Sequence, residues 1–369
     1  MISLDKTLLG DDYSGDVVER HQEYAEQAGS LDIIVFSKKG FKKRKISSKL
    51  TVYPTNSLNK LTYVFDAFRL AKEIYWPDGF SLIVTQDPFL TGLSGWLIKK
   101  RFKIPLLIHF HGDFWQNIYW LKEKWFNFIL LFISKFLVRR ADGIRVVSLG
   151  IKNKLVAEGL SNKKIRVIPT PVNLEDFIFC EPEKVKKLRK ANKNLKTIIN
   201  VGRKDASKDY LTLFKAIELV RAKYGKLAFW QIGANIRLRD KIRFDENMIL
   251  NSFNKIDRKE LTNYYHASDI YVSSSNNESF GKVLIEAMSA GLPVVATATT
   301  GSKEIITDEE NGYLAPIGDS EVLSRKILFL LNNPKKAKEI GKAGRETVKE
   351  KFNQQKIIKK IIKFWRDLS

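Results

Sequence analysis

The chain has 369 residues, which is too many for one ordinary hydrophobic core, so its length predicts two domains. Hydrophobic residues make up 44% of it, as in soluble globular proteins, and a single cysteine, Cys180, excludes a disulfide framework and fits a reducing compartment. The net charge of +23 predicts an anionic partner: a nucleic acid, an anionic membrane or a pyrophosphate-bearing substrate. No zinc-finger, RNA-recognition or leucine-zipper pattern is present, so we expect no nucleic-acid partner.

The first half of the chain alternates apolar strands with helical segments, which indicates a parallel α/β domain. A short first strand is followed by a loop that ends at Gly15 and Asp16, and a helix begins at Val17. The next strand, residues 31–37, runs into a basic segment, residues 38–45, that contains no acidic residue. This segment is either a solvated loop or an electrostatic anchor to an anionic membrane. No signal peptide is visible in the first fifteen residues, and we therefore expect a cytoplasmic protein.

Polar residues follow two further strands, at the carboxyl ends where doubly wound sheets bind their ligands. Asp87 comes after the strand over residues 81–85, and His111 and Asp113 come after the strand over residues 105–109. A lone histidine is more often structural than functional. The position of His111 at a strand end nevertheless makes it a candidate for a ligand site.

Residues 114–140 are unusually aromatic and basic. Their apolar core is shorter than the ~20 residues that a membrane span needs, and charged residues interrupt it. The segment is either a half-buried helix of the first domain or a helix that lies partly in a membrane interface, where Trp and Tyr flanked by Lys are common.

In the second half, a strand over residues 197–201 ends at Gly202 and Arg203, and Lys208 follows before a helix. Two cations at the end of a strand suit a diphosphate, whose negative charge they can stabilise. A loop with Lys255 follows a later strand.

Further along, a strand over residues 270–275 leads into a loop with Glu278 and Gly281 and a helix that we expect to begin near Ser279. Glu278 and Glu286 are eight positions apart, or about 10–12 Å along a helix. That distance is too large for the carboxylate pair of a retaining glycosidase. The two acids could instead hold hydroxyl groups at the two ends of an extended ligand, or simply cap the helix and face the solvent.

Glu278, Phe280, Gly281 and Glu286 resemble the E-x7-E signature of the retaining family 4 glycosyltransferases, and the resemblance continues through residues 287–295 and 301–314. It implies the GT-B fold, an α/β architecture of two doubly wound Rossmann-like domains that face one another across a cleft. Residues 1–178 would form the acceptor-binding domain and residues 195–352 the nucleotide-sugar-binding domain. Residues 353–369 would form a helix that crosses back to the first domain. The chain departs from the family pattern at residues 170–173, so the resemblance assigns no role to those residues.

The resemblance also implies roles for individual residues. The catalytic group would be Glu278, His111, Arg203 and Lys208. The donor-binding group would be Glu286, Phe280, Gly281, Lys282, Val283, Gly202, Gly15 and Lys255. The acceptor-binding group would be Asp113, Asp16 and Asp87.

The implied reaction moves a sugar from a UDP- or GDP-linked donor to a hydroxyl of a glycan or lipid-linked acceptor, with retention, in cell-surface polysaccharide or glycolipid synthesis. No Asp-x-Asp motif lies near the donor site, so we expect no metal and no cofactor. The protein could be peripheral on the inner face of the plasma membrane. Two alternatives stay open: a GT-B nucleotide-sugar epimerase, and a polyanion-binding protein without catalysis.

Overall fold

The structure is a computed structural model that describes residues 1–10, 16–193, 195–234, 236, 248–254 and 256–369. Gly15 and Lys255, both predicted to bind the donor, lie outside the described residues. The chain divides into two compact units, with Met1–Pro171 and Gln355–Ser369 in unit 1 and Val172–Gln354 in unit 2. The charged helix Pro182–Ala191, which follows the division between residues 171 and 172, therefore belongs to unit 2.

Unit 1 is built on a sheet that has eight strands in the described part of the chain. The order across the sheet is β3-β4-β2-β1-β5-β6-β7-β8, and all neighbours are parallel except β3 and β4. In chain order the strands are β1 (Ile2–Ser3), β2 (Leu31–Val35), β3 (Arg44–Lys45), β4 (Leu50–Pro54), β5 (Ile83–Thr85), β6 (Leu106–Phe110), β7 (Gly143–Val146) and β8 (Ile165–Val167).

The connections of unit 1 are helical: α1 (Val17–Ala28), α2 (Tyr63–Asp78), α3 (Leu90–Phe102), α4 (Ile118–Glu123), α5 (Asn127–Val138) and α6 (Leu149–Ala157). Strand β6 is buried along its whole length, as expected for a parallel strand covered by helices on both faces of the sheet. The aromatic segment predicted over residues 114–140 forms two helices, α4 and α5. Among the described residues, no helix is both long enough and apolar enough to cross a membrane.

Unit 2 contains a second sheet, all parallel, in the order β11-β10-β9-β12-β13-β14. Its strands are β9 (Thr197–Val201), β10 (Leu227–Ile232), β11 (Met248–Phe253), β12 (Ile270–Ser273), β13 (Val294–Thr297) and β14 (Tyr313–Ala315). Its helices are α7 (Glu175–Ile178), α8 (Pro182–Ala191), α9 (Tyr210–Tyr224), α10 (Arg258–Ala267), α11 (Lys282–Ser289), α12 (Thr300–Ile305), α13 (Ser320–Asn332) and α14 (Pro334–Lys351).

The core of unit 2 forms where the apolar stripes of α9 and α13 meet the sheet. Leu213 and Ile217 on α9 and Ile327 on α13 are completely buried there. Each helix begins at an aspartate whose side chain accepts a backbone N–H, Asp209 for α9 and Asp319 for α13. These caps satisfy amide groups that a helix start otherwise leaves without partners.

The last helix, α15 (Gln354–Arg366), packs within unit 1 although it follows unit 2 in the chain. Trp365 meets the ring of Tyr24 edge to face at a centroid distance of 5.6 Å. The Arg366 guanidinium donates a hydrogen bond of 2.6 Å to the carbonyl oxygen of Gln27. Two pairs of adjacent isoleucines, four positions apart, are buried on one side of this helix: Ile357, Ile358, Ile361 and Ile362. This apolar side explains how so basic a helix packs on the unit.

The two parallel sheets with their helical connections confirm the predicted fold class of two Rossmann-like α/β domains.

The packing of α14 gives a stability prediction at Gly341. A Cβ added there would lie 2.2 Å from the carbonyl oxygen of Gly291, which is backbone and cannot rotate away. We expect Gly341→Ala to destabilise unit 2 by about 2 kcal/mol through overpacking. For a domain of this size, that lowers the Tm by roughly 4–8 °C. Circular dichroism melts would measure the shift, with the neighbouring exposed Lys342→Ala as the control. Equal melting temperatures for both variants would contradict this packing.

Candidate active site

The loop after β9 carries the two predicted cations. Arg203 is exposed, and Lys208 closes a short 3₁₀ turn, Ala206–Lys208, just before α9. The Tyr210 hydroxyl donates to the carbonyl oxygens of Gly202 at 2.8 Å and of Arg203 at 3.0 Å. It also accepts a hydrogen bond from Gln231 on β10 at 3.2 Å. The neighbouring strand therefore fixes the start of this loop.

The loop after β12 fixes the far end of the loop after β9. The Ser274 hydroxyl donates to the Lys208 carbonyl oxygen at 2.7 Å, and the Asn276 backbone N–H donates to the Ser207 carbonyl oxygen at 2.9 Å. Because β9 and β12 are parallel neighbours, their carboxyl ends lie side by side. Two loops that are far apart in sequence thus form one surface.

Lys208 and Glu278 meet on that surface. The Lys208 ammonium lies 2.7 Å from Glu278 Oε2, and the backbone N–H of Gly281 donates to Glu278 Oε1 at 3.2 Å. The two side chains are 22% and 19% exposed, so both remain open to a ligand. The structure thus brings together Lys208, Glu278 and Gly281, three of the predicted residues, and Arg203 lies on the same loop as Lys208.

The helix after Glu278 begins later than predicted. It starts at Lys282, three residues beyond Ser279, because Gly281 adopts a left-handed conformation (φ 83°, ψ 47°) and turns the chain into the helix. Lys282 and Val283, predicted to bind the donor, open α11 and are half-buried. Their amide groups belong to the first turn, whose N–H groups and dipole favour an anion.

Gly301 allows the chain to approach the Glu278 loop closely. Its N–H donates to the Glu278 carbonyl oxygen at 2.7 Å. A Cβ at this position would lie 2.5 Å from the backbone nitrogen of Phe280, so only glycine fits. The start of α12 therefore supports the loop from behind.

Glu286 and Phe280 point into unit 2. Glu286 is only 6% exposed, which rules out the alternative of a solvated helix residue, and it accepts a hydrogen bond of 3.3 Å from the Tyr265 hydroxyl. Burial raises the pKa of Tyr265 well above its usual value, and the Glu286 carboxylate adds to the shift, so the phenol stays protonated and donates. Phe280 is buried against Phe352, with ring centroids 5.8 Å apart. Its side chain has a packing role.

His111 lies at the carboxyl end of β6 in unit 1, as predicted. Its ring meets that of the buried His109 edge to face at 5.5 Å, and Arg145 donates to His109 Nδ1 at 3.4 Å. The surrounding protein lowers the pKa of His111, and the charge of Arg145 lowers it further, so the imidazole is neutral near pH 7. His111 is an exposed residue, so solvent moderates the shift without changing its direction.

The three acids predicted to bind the acceptor all have partners within unit 1. Both oxygens of Asp113 lie within 2.9 Å of the Lys154 ammonium, and the residue is buried. Asp87 is also buried and accepts the Phe89 amide at 2.6 Å at the start of α3. Asp16 accepts a hydrogen bond of 3.1 Å from Arg20.

Asp113 and Asp87 therefore have structural partners in unit 1, and their acceptor-binding roles stay predictions. Lys154, the partner that neutralises Asp113, lies 41 residues away in the sequence.

Sequence reasoning missed the residues that hold the two loops together, chiefly Tyr210 and Ser274. Ser274 lies in a run of three serines at the end of β12, and this polar run was the available signal. Tyr210 had no such signal, since its partners are backbone carbonyls. Among the described residues, no group of three or more His, Cys, Asp or Glu side chains is arranged to hold a metal ion.

Two sequence families match the chain, one in each half. Residues 17–176 match the family described as Glycosyltransferase Family 4, and residues 182–347 match Glycosyl transferases group 1. Together the matches cover most of the chain and follow its two units.

Relatives and solved structures agree with these matches. The chain is 29% identical to an uncharacterized glycosyltransferase of Methanocaldococcus jannaschii, over 84% of this chain and 82% of that protein. It is 25% identical to CapM, a capsular polysaccharide biosynthesis glycosyltransferase of Staphylococcus aureus, over 62% of each chain. The structure resembles that of HepE of Anabaena in complex with UDP-glucose, with a TM-score of 0.76 and 17% identity over 100% of this chain and 99% of that one.

The paired α/β units, the family matches over both halves and the named relatives lead to one conclusion: this chain belongs to glycosyltransferase family 4 and has the GT-B fold.

Proposed function

We propose that the protein is a retaining glycosyltransferase that moves a sugar from a UDP- or GDP-linked donor to an acceptor hydroxyl. The observation that carries this proposal is the contact between Lys208 and Glu278 beside the first turn of α11. A cation, a carboxylate and a helix start meet there, and each suits a different part of a nucleotide-sugar. The diphosphate matches the cation and the helix N–H groups, and the sugar hydroxyls match the carboxylate.

In the proposed complex, Arg203 and Lys208 bind the donor diphosphate. Lys208 now contacts Glu278, and a diphosphate would offer it a second anionic partner at the same place. Glu278 would accept hydrogen bonds from the sugar hydroxyls, and Glu286 would bind the ribose. HepE, whose fold this chain shares, binds UDP-glucose, which supports a nucleotide-sugar as the donor.

The proposed step needs no protein nucleophile. The acceptor oxygen forms a bond to the anomeric carbon as the bond between that carbon and the donor phosphate oxygen breaks. The electron pair of the broken bond stays on the diphosphate, which also takes the proton of the acceptor hydroxyl. Because attack and departure occur on the same face of the sugar, the anomeric configuration is retained. Arg203, Lys208 and the amides of Lys282 and Val283 would stabilise the charge that develops on the leaving group.

His111 would contribute a neutral hydrogen-bonding group to the same reaction. A neutral imidazole can donate a hydrogen bond to a sugar or acceptor oxygen. Since the two cations proposed for the diphosphate supply the charge needed for the leaving group, we propose a reaction without a metal ion or cofactor.

For the acceptor we propose a glycan or lipid-linked glycan of cell-surface polysaccharide or glycolipid synthesis. The name of CapM, a capsular polysaccharide biosynthesis glycosyltransferase, supports this class. The net charge of +23 also favours an acceptor carried on an anionic surface. We expect such an enzyme to work at the inner face of the plasma membrane.

The contact between Lys208 and Glu278 gives a mutational prediction. Glu278→Gln and Lys208→Ala should each lower kcat/KM at least ~100-fold, because each removes a charge-assisted contact proposed for the transition state. The measurement is release of free nucleotide from the nucleotide-sugar, with acceptor and with EDTA present. Glu183→Gln and Lys186→Ala on the exposed face of α8 make the same chemical changes away from the site and should keep full activity. Activity like that of wild type in both site variants would contradict the assignment.

The proposed geometry also predicts the stereochemistry of the product. With an α-linked nucleotide-sugar, proton NMR of the first product should show an α-glycosidic linkage. A β-linkage would contradict attack on the face from which the diphosphate leaves.

A further inference from the structure

Helix α5 turns its aromatic side chains outward and buries two polar and two apolar residues, Asn127, Ser134, Leu137 and Val138. On its buried side, the Asn127 amide donates to the Trp120 carbonyl oxygen at 2.6 Å, and the Ser134 hydroxyl accepts from Trp115 Nε1 at 2.8 Å. The outward side, together with Trp125 two positions before the helix, exposes five large apolar residues, here called the α5 face: Trp125 (82% exposed), Phe128 (60%), Ile129 (48%), Phe132 (62%) and Phe136 (41%).

The α5 face is continuous. Phe128 and Phe132 meet edge to face at 5.0 Å, and Phe136 meets Trp96 of α3 at 5.2 Å. Single exposed apolar residues are ordinary on a protein surface, but a contiguous aromatic patch marks a surface that another molecule covers. Leu137 and Val138, which are completely buried, already pack α5 onto unit 1, so the aromatic side is a second apolar surface of the same helix.

The charged residues of α5 and of its two ends are all basic, and one of them, Lys135, pairs with Glu158 at 2.8 Å. Residues 124–141 contain no acidic residue. The Arg140 guanidinium lies 3.5 Å from the centre of the Phe136 ring, and the Lys124 ammonium lies 5.6 Å from that of Phe126. Aromatic side chains bordered by Lys and Arg are typical of segments that lie at the boundary between lipid headgroups and acyl chains.

A cationic pocket of about 570 Å³ adjoins the carboxyl end of the same helix. Its one acid, Asp142, is held by Lys99 at 2.6 Å and by the Leu106 amide at 2.7 Å. In the described part of the chain, Lys100, Lys103 and Arg140 have no carboxylate partner within ion-pair distance. The Lys100 ammonium lies 4.6 Å from the Trp96 ring that contacts Phe136, which joins the pocket to the α5 face.

We propose that the α5 face docks on an anionic lipid bilayer, with α5 lying in the plane of the interface and the pocket at Lys100, Lys103 and Arg140 receiving a lipid phosphate. The aromatic residues enter the acyl boundary while the basic residues stay at headgroup depth. This surface does not suit a second copy of the chain, because two such faces would bring like charges together at their rims. The helix-spaced aromatics also make α5 a better candidate than the basic segment 38–45, which offers charge with only one half-buried phenylalanine, Phe41.

Vesicle co-sedimentation of the full chain tests the aromatic part. The vesicles are phosphatidylcholine alone, or phosphatidylcholine and phosphatidylglycerol in equal parts, and no sugar donor is present, so the result does not depend on transfer activity. We expect wild type to pellet with the anionic vesicles. The double variant Phe128→Ser/Phe132→Ser should bind at least roughly tenfold more weakly, since two large apolar side chains no longer enter the lipid. Phe179→Ser/Leu211→Ser removes two equally exposed apolar residues from unit 2 and should bind like wild type.

A second pair of variants tests the pocket. Lys100→Glu/Lys103→Glu should lose binding to anionic vesicles, while Lys187→Glu/Lys190→Glu on α8 changes the net charge equally and should retain most of it. As a direct readout, brominated lipid should quench the fluorescence of wild type more than that of Trp125→Phe.

Three results would overturn the proposal. The first is binding of Phe128→Ser/Phe132→Ser equal to that of wild type. The second is loss of binding only when the lysines of residues 38–45 are neutralised. The third is a dimer of wild type in solution that Phe128→Ser/Phe132→Ser converts to monomer, which would assign the α5 face to a second copy.

Discussion

The Glu278 loop depends on the three contacts that one residue makes. Its Oε2 pairs with Lys208, its Oε1 accepts the Gly281 amide, and its carbonyl oxygen accepts the Gly301 amide. These contacts join the loop after β9, the start of α11 and the start of α12. The ion pair is partly exposed and contributes at most about 1 kcal/mol to stability. Its importance lies in positioning, because the Glu278 carboxylate proposed for the sugar also orients the Lys208 ammonium proposed for the diphosphate.

Much of unit 2 could be predicted because its sequence signals are local. Strands β9 and β12 are apolar runs that end in polar residues, and parallel packing places those ends side by side. The sequence predicted that Arg203, Lys208 and Glu278 follow the ends of two strands, and the family resemblance implied that they share one site. The start of α11 was predicted three residues too early, because the left-handed turn at Gly281 is a backbone property that the spacing of apolar residues does not reveal.

Unit 1 was harder to predict because its polar residues are defined by distant partners. Asp113 has the strand-end position of a ligand-binding acid, yet the sequence does not show that Lys154 meets it. The orientation of α5 was hidden for a related reason. The helix is apolar on more than one side, so periodicity does not show which side faces the core: Leu137 and Val138 are buried, whereas Phe128 and Phe132 are exposed. The alternative of an interfacial helix, left open by composition, gains its support from those exposed aromatic side chains.

The most direct test of a donor site at Lys208 and Glu278 is a thermal-shift measurement with UDP, GDP, ADP and CMP, made without metal on wild type and on Lys208→Ala. A ligand that binds only the folded state at about 100 times its Kd stabilises it by about 2.7 kcal/mol. We expect UDP or GDP to raise the Tm of wild type by several degrees, and Lys208→Ala to lose most of that rise. If no nucleotide shifts wild type, or if the variant responds as fully as wild type, the donor site is not where we place it.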